Sequence, residues 1–559
     1  MSGLRGPAAG KVVVSVAEAV GRALARLGAD HVFGVVGSGN FHVTNALIAG
    51  GARFVAARHE AGAATMADAY ARVSGRPGIL TVHQGCGLTN ALTGITEATK
   101  SRTPLLVLAA EADSPLSNFA VDQHALTRAV GAVPARLRSA ETAVADAVRA
   151  YRLAAEERRT VVLNLPLAVQ AEPDRATGPG SAATERRVVD DDPDPVAVDE
   201  LVRLLRTSAR PVFIAGRGAR RAHARGDLVA LADATGALLA TSAVVKGYFR
   251  GHDWDLDVSG GFATPLAAEL ITGADLIVAW GCSLTMWTTR HGRLIADDAT
   301  VVQVDHDGAM LERPSRVDLR VSGDAAAVAS EVRRRSPSGT IGYRTEEVAR
   351  RLQSGRRWRD VAYADMSTAE RIDPRALTIG LDDLLPAERI VAVDSGNFMG
   401  YPAMFLDVPD DDGFCFTQSY QSIGLGLSTA IGAALARPDR LPVAALGDGG
   451  ALMSIAELDT AVRLGLPMLV VVYNDEAYGA EVHHFGPDGH PLDTVQFPET
   501  DIAAIGRGFG CDAVTVRRTG DLDAVRRWLA GPRQRPLVVD AKVTTDHPSW
   551  WLAEAFRGH

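Results

Sequence analysis

Asp448 and Asp475 each follow an apolar run, and they are the first candidates for chemistry in this sequence. Pro442 to Leu446 reads as a strand running into Gly447-Asp448-Gly449-Gly450, and Met468 to Tyr473 reads as a second strand ending in Asn474-Asp475. Between them Leu452, Ile455, Leu458 and Val462 recur at helical spacing, which predicts one amphipathic helix. Strand, glycine turn, helix, strand is a right-handed crossover, and it brings both acids to one end of a parallel sheet. The glycines let backbone approach an anion, and the helix N-terminus offers free N–H groups to a phosphate. Asp448 would repel that phosphate unless a hard divalent cation with oxygen ligands, such as Mg²⁺, lies between them. An ordinary turn in which Asp448 merely caps the helix is the alternative without a ligand.

The GDG turn followed by a second anchor at 474–475 resembles the signature of thiamine diphosphate (ThDP) enzymes. The chain as a whole is similar to the acetolactate synthase, pyruvate oxidase and benzoylformate decarboxylase group. That resemblance implies ThDP and Mg²⁺ as cofactors, with Gly447, Asp448, Gly449, Gly450, Asn474, Asp475, Tyr478 and Gly479 around the diphosphate. It also implies Asp448, Asp475 and the Ala477 carbonyl as metal ligands. The family's usual second Asn is replaced here by Asp475, which keeps an oxygen ligand and adds a negative charge. Ser395 and Asn397, just after the expected strand Arg389 to Val393, would donate to the diphosphate. Ile423 matches the bulky apolar residue that props the thiazolium against the pyrimidine, and the Gln421 carbonyl would accept from the exocyclic amine.

By the same resemblance Glu60 is the glutamate that hydrogen-bonds the pyrimidine ring. A carboxylic acid shared with a ring nitrogen promotes the imino tautomer, and an apolar wall of Ala61, Ala63 and Ala64 would favour that sharing. Substrate handling leaves alternatives open. Ser38 in the turn Gly37-Ser38-Gly39-Asn40, His83 before Gln84-Gly85-Cys86-Gly87, and Glu481 match groups of the decarboxylases. Imidazole can shuttle a proton near neutral pH. Gln123 matches an active-site glutamine of acetolactate synthase-type carboligases. The resemblance therefore implies a 2-oxo acid decarboxylating carboligase that forms a hydroxyketone through an enamine. The alternatives are simple decarboxylation or decarboxylation of an acyl-CoA.

These groups need a scaffold, and its elements are legible. The chain has 559 residues, too many for one core, with 47% hydrophobic and 22% charged residues. Strand–helix alternation recurs along the chain. It predicts an α/β protein of three domains, each a mainly parallel sheet flanked by helices: a pyrimidine-binding domain at 11–175, a central domain at 195–335, and a diphosphate- and metal-binding domain at 370–559. The polar stretches 171–195 and 333–357 read as linkers. Ser15 and Glu18 form a capping-box pattern. Gly216-Arg217-Gly218 after the strand Pro211 to Ala215 hints weakly at a nucleotide site, and a structural turn is the plainer reading. Trp280 to Arg290 lacks an arginine-rich flavin pattern, so FAD is not expected.

Net charge is −9, so nucleic acid is not an expected partner. The four cysteines are scattered without metal spacing, as suits a reducing cytoplasm. No run reaches membrane-spanning length and the first residues hold no apolar segment, so a cytoplasmic, membrane-free protein is expected. The resemblance adds a homodimer or homotetramer with active sites at the subunit interface.

Overall fold

The computed structural model of the chain describes residues 14–175, 193–306, 308, 316–336 and 341–555. Among them the strands form three six-stranded sheets, parallel throughout, so the α/β expectation is met.

The N-terminal unit holds β1 (His31–Gly34), β2 (Arg53–Ala56), β3 (Gly78–Val82), β4 (Leu105–Glu111), β5 (Val133–Arg136) and β6 (Thr160–Pro166), in the order β2-β1-β3-β4-β6-β5. The Ser15/Glu18 capping box is present and starts the helix Val16–Arg26. That helix buries Val16, Val20 and Leu24 against Ile79, Leu106 and Leu163 of the sheet. Each such side chain contributes about 1.5–3 kcal/mol on burial. The stretch expected as the first linker begins where the helix Leu167–Ala171 ends, and most of it lies outside the described residues.

A second compact unit holds the other two sheets. The central one consists of β7 (Pro211–Ala215), β8 (Leu238–Thr241), β9 (Asp255–Val258), β10 (Leu276–Trp280), β11 (Thr300–Asp305) and β12 (Leu319–Ser322), ordered β12-β11-β10-β7-β8-β9. The C-terminal one consists of β13 (Arg389–Val393), β14 (Phe414–Phe416), β15 (Leu441–Gly447), β16 (Leu469–Asn474), β17 (Asp512–Val516) and β18 (Leu537–Lys542), ordered β14-β13-β15-β16-β18-β17. Strands such as β13 and β16 are buried on both faces and accordingly read as near-continuous apolar runs. Buried Lys246 joins the two domains by donating from Nζ to the Ala403 carbonyl at 2.6 Å, and Arg220 pairs with Asp411 at 3.0 Å.

Two expectations need correction. The single helix after the GDG turn is two, Asp448–Ser454 and Glu457–Arg463, and Leu452 and Met453 face outward. Within the second helix Thr460 Oγ1 donates to the buried Glu457 carboxylate at 2.7 Å, a contact that apolar spacing does not reveal. The stretch 333–357 is not simply a linker. It contains the helix Glu346–Gly355, capped by Thr345, and buries Val348 and Leu352 in the cluster formed by Ala267, Leu270 and Ile271. Two apolar residues four apart suffice to seat a helix whose other faces are polar.

Candidate functional site

In the C-terminal domain β15 and β16 pair with Gly447 opposite Tyr473, so both strands deliver an acid at the same end of the sheet. The Asp448 and Asp475 carboxyl groups are close enough to perturb one another. Burial pushes Asp448 up to about 6 and Asp475 well above the usual carboxylate range, the latter also because Asp448 is its neighbour. Gly447 occupies the N-cap position and Asp448 is the first helical residue, so Asp448 does not act as the cap. A Cβ on Gly449 would lie 2.6 Å from the Tyr478 ring. One on Gly450 would overlap Asp394 Oδ2, and one on Gly479 would overlap Asp475 Oδ2. Only glycine lets these turns close on one another, and the result is a backbone cradle beside two acids.

Among the described residues no third His, Cys, Asp or Glu joins the pair in a cluster able to hold a metal by itself. The donor set nonetheless fits a hard cation: two carboxylates whose burial calls for a counter-charge, with the Ala477 backbone following directly. Asn474 is turned away from them. Its Nδ2 donates to Asp540 Oδ1 at 2.8 Å and its Oδ1 accepts from the Glu476 N–H at 3.2 Å. Glu476 takes left-handed backbone (φ 58°), and Arg371 holds its carboxylate at 2.7 Å. Asn474 thus braces the turn that presents Asp475, Ala477 and Tyr478.

A cavity of about 510 Å³ opens above the cradle. Ser395, Asn397, Gln421, Ile423, Gly447 to Gly450, Asp475 and Ala477 to Glu481 line it, together with Phe262, Trp287 and Thr288 of the central domain. Gln421 takes left-handed backbone (φ 60°), so the segment that carries Ile423 is held in an uncommon conformation. Asn397 accepts at Oδ1 from the Ser549 N–H at 3.0 Å. Its carbonyl accepts from Ser549 Oγ at 2.6 Å and Trp551 Nε1 at 2.9 Å, leaving Nδ2 as the donor.

Asp394 is a central residue that the sequence reading passed over. Fully buried, its carboxylate accepts from the N–H groups of Ser395 (2.9 Å), Gly424 (2.9 Å) and Leu425 (3.2 Å), and burial pushes it up to about 6. It ties the 395–397 turn, the 421–426 turn and the GDG turn into one piece. An acid at the end of a buried strand, followed by Ser-Gly-Asn, was the available signal. The Trp551 contact had none.

In the N-terminal unit Glu60 opens the helix Glu60–Ser74 and accepts from Asn90 Nδ2 at 3.1 Å. Ala63 and Ala64 are buried beside it, and Ala61 is half-buried. The His83 ring packs on the turn that carries Ser38: a Cβ on Gly37 would lie 2.8 Å from its Cγ. His83 Nδ1 is buried without a hydrogen-bond partner among the described residues, its ring is 5.1 Å from that of Phe119, and Ser38 is exposed. These two groups are therefore neighbours. Gln123 is buried, and its amide is engaged at both ends. Oε1 accepts from the Gly85 N–H at 3.0 Å and Nε2 donates to Asn164 Oδ1 at 2.8 Å.

The Gly216-Arg217-Gly218 turn proves structural. The Gly216 N–H donates to the Trp280 carbonyl at 2.9 Å and the Gly218 N–H to the Gly281 carbonyl at 2.9 Å. A Cβ on Gly216 would lie 2.5 Å from Cys282 Cα. These amides are committed to the neighbouring turn and are not offered to a phosphate.

Comparison with known proteins agrees with this geometry. Residues 14–132 match the family described as thiamine pyrophosphate enzyme, N-terminal TPP binding domain; 198–332 match its central domain and 394–541 its C-terminal TPP binding domain. A probable 2-ketoarginine decarboxylase of Pseudomonas aeruginosa is 31% identical, over 92% of this chain and 91% of that protein. A sulfoacetaldehyde acetyltransferase of Alcaligenes xylosoxydans is 29% identical, over 81% and 80%. An acetolactate synthase large subunit of Parasynechococcus marenigrum is 28% identical, over 94% and 86%.

Proposed function

Because the chain belongs to the thiamine pyrophosphate enzymes, we propose that it uses ThDP and Mg²⁺ to decarboxylate a 2-oxo acid and release the aldehyde. The observation that carries this reading is the buried Asp448–Asp475 pair set in a cradle that admits only glycine. ThDP bound there supplies a carbanion for attack on the 2-oxo carbon and an electron sink for the loss of CO₂. Asp448, Asp475 and the Ala477 carbonyl would hold Mg²⁺. Gly447, Gly449, Gly450 and Gly479 admit the diphosphate, Ser395 and Asn397 Nδ2 donate to it, and Tyr478 closes the side. Ile423 and the Gln421 carbonyl support the rings of the cofactor. Glu60 would hold a proton against the pyrimidine nitrogen where two subunits meet. His83, with its unpartnered Nδ1 next to the Ser38 turn, moves a proton at the substrate carbon while Ser38 orients the carboxylate. The domain limits 11–175, 195–335 and 370–559, and a homodimer or homotetramer, complete the proposal.

Carboligation to a hydroxyketone is the second reading. It is favoured by relatives named acetolactate synthase and sulfoacetaldehyde acetyltransferase. Against it, the Gln123 amide is already engaged within its own domain. CO₂ release and product identity from a 2-oxo acid panel, with ThDP and Mg²⁺ supplied, decide between them: aldehyde supports the first reading and a hydroxyketone the second. Glu60→Gln should abolish turnover while ThDP stays bound. Turnover near that of the unaltered enzyme would remove Glu60 from the mechanism.

A further inference from the structure

We infer that the cavity selects a 2-oxo acid whose side chain ends in an organic cation, an ammonium or a guanidinium, and that Glu481 is the residue that recognises this end. The inference rests on the 2-oxo acid reading and adds the chemistry of the tail.

Three charged side chains line the cavity, and all are carboxylates. Asp448 and Asp475 face one another and are assigned to the metal. Glu481 is the third, and among the described residues no lysine, arginine or histidine lines the cavity. An acid in the first turn of the helix Gly479–Phe485 is favourable on dipole grounds alone and by itself signals nothing. The wall it shares is what makes it informative. Phe262, Trp287, Phe416 and Trp551 line the same cavity as one packed set: Phe262 lies 5.9 Å from Phe416 and 6.5 Å from Trp551, and Trp287 lies 5.8 Å from Trp551. Aromatic faces attract cations through their quadrupole, and a carboxylate supplies the directed contact. No hydrogen bond or ion pair among the described residues engages the Glu481 carboxylate.

The alternatives fare worse on the same wall. An anionic tail would meet a like charge and no cation. A long neutral tail would gain burial against the rings but would strip water from Glu481 without replacing its hydrogen bonds. A short substrate such as pyruvate would leave Glu481 hydrated and would gain nothing from it. Selectivity for the cation should therefore emerge only when the tail is long enough to reach.

The test compares kcat/KM of the ThDP- and Mg²⁺-loaded enzyme for 2-oxo-5-guanidinopentanoate and 2-oxo-6-aminohexanoate against uncharged 2-oxo acids of the same length. A preference for the cationic acids of about 10- to 100-fold is expected, the scale of one hydrogen bond to a charged group. Glu481→Gln, at an exposed position, should bring that ratio close to one. A wild-type preference for the neutral acids, or an equal loss on both classes in Glu481→Gln, would overturn the inference; the second outcome would place Glu481 in the reaction itself. Calorimetric titration with 5-guanidinopentanoate and hexanoate, which cannot react, tests the same recognition without turnover. Tighter binding of the guanidino acid, lost in Glu481→Gln, supports the inference even if no 2-oxo acid is decarboxylated, and equal binding of the two acids refutes it.

Discussion

Replacing Gly450 by alanine should loosen the cofactor half of the site without removing any group that contacts a ligand. The added Cβ would overlap Asp394 Oδ2 and would lie 3.2 Å from both Asp394 Cγ and the Gly424 nitrogen. Asp394 cannot yield freely, because its carboxylate accepts three backbone N–H groups at 2.9, 2.9 and 3.2 Å in a fully buried setting. Loss of one hydrogen bond to a charged group costs about 1.5–3 kcal/mol. Overpacking of a tight interior costs about 1–3 kcal/mol. The turns relax together, so a net destabilisation of about 3 kcal/mol is expected. At about 2–4 °C per kcal/mol for a domain of this size, the melting transition should fall by roughly 6–12 °C. Scanning calorimetry of the cofactor-free protein measures this, and titration with ThDP at fixed Mg²⁺ should show weaker binding. Gly226→Ala is the control: it sits in the helix Arg225–Thr235, and nothing lies within 4 Å of its Cβ position. It should be neutral or stabilising by up to about 1 kcal/mol. A Gly450→Ala protein that melts like the wild type and binds ThDP equally well would show that Asp394 does not clamp the turns together.

Asp394 also predicts a pH dependence. With its carboxyl raised to about 6, the native state holds this proton more firmly than the unfolded chain. Its contribution is therefore full below about pH 4 and is lost as pH rises through about 6, up to about 3 kcal/mol in all. Asp394→Asn should lack that slope in urea titrations of the cofactor-free protein between pH 4 and 7; parallel curves for the two proteins would contradict the assignment. Gly216→Ala, whose Cβ would press on Cys282 Cα at 2.5 Å, should destabilise the central domain and leave ThDP affinity unchanged. A selective loss of affinity for a nucleotide in that variant, without a stability change, would reopen the nucleotide reading of the turn.

The interior of each sheet was legible because parallel strands buried on both faces spell near-continuous apolar runs, as Pro211–Ala215 does and as Arg389–Val393 does after its arginine. β5, β9, β12, β14 and β17 lie at sheet edges. An edge strand is short and can be partly exposed, as Asp512–Val516 is, and its pairing is decided by a neighbour remote in sequence. The helix Glu346–Gly355 was missed for a related reason. Its mean character is polar, and the two residues that seat it, Val348 and Leu352, act through a partner surface on the helix Pro265–Thr272.

The site divides along the same physical line. Asp448 and Asp475 could be paired from sequence because a single local unit, strand–helix–strand, delivers both to one sheet end. Asn474 looked equivalent to Asp475, but it is the last residue of β16 and its side chain braces Asp540, while Asp475, just past the strand end, lines the cavity. Asp394, Trp551 and the aromatic wall belong to segments that meet only in the folded chain, and no spacing rule reaches across that distance. Yet they hold and surround the locally encoded pair. A divalent cation and a diphosphate need two acids and a glycine turn, which a short motif can encode. A selective pocket needs walls drawn from two domains, which a short motif cannot. Cofactor chemistry is thus the part of this protein that its sequence states locally. Substrate choice depends on long-range packing, and Glu481 against the Phe262–Trp287–Phe416–Trp551 wall is where this structure makes it testable.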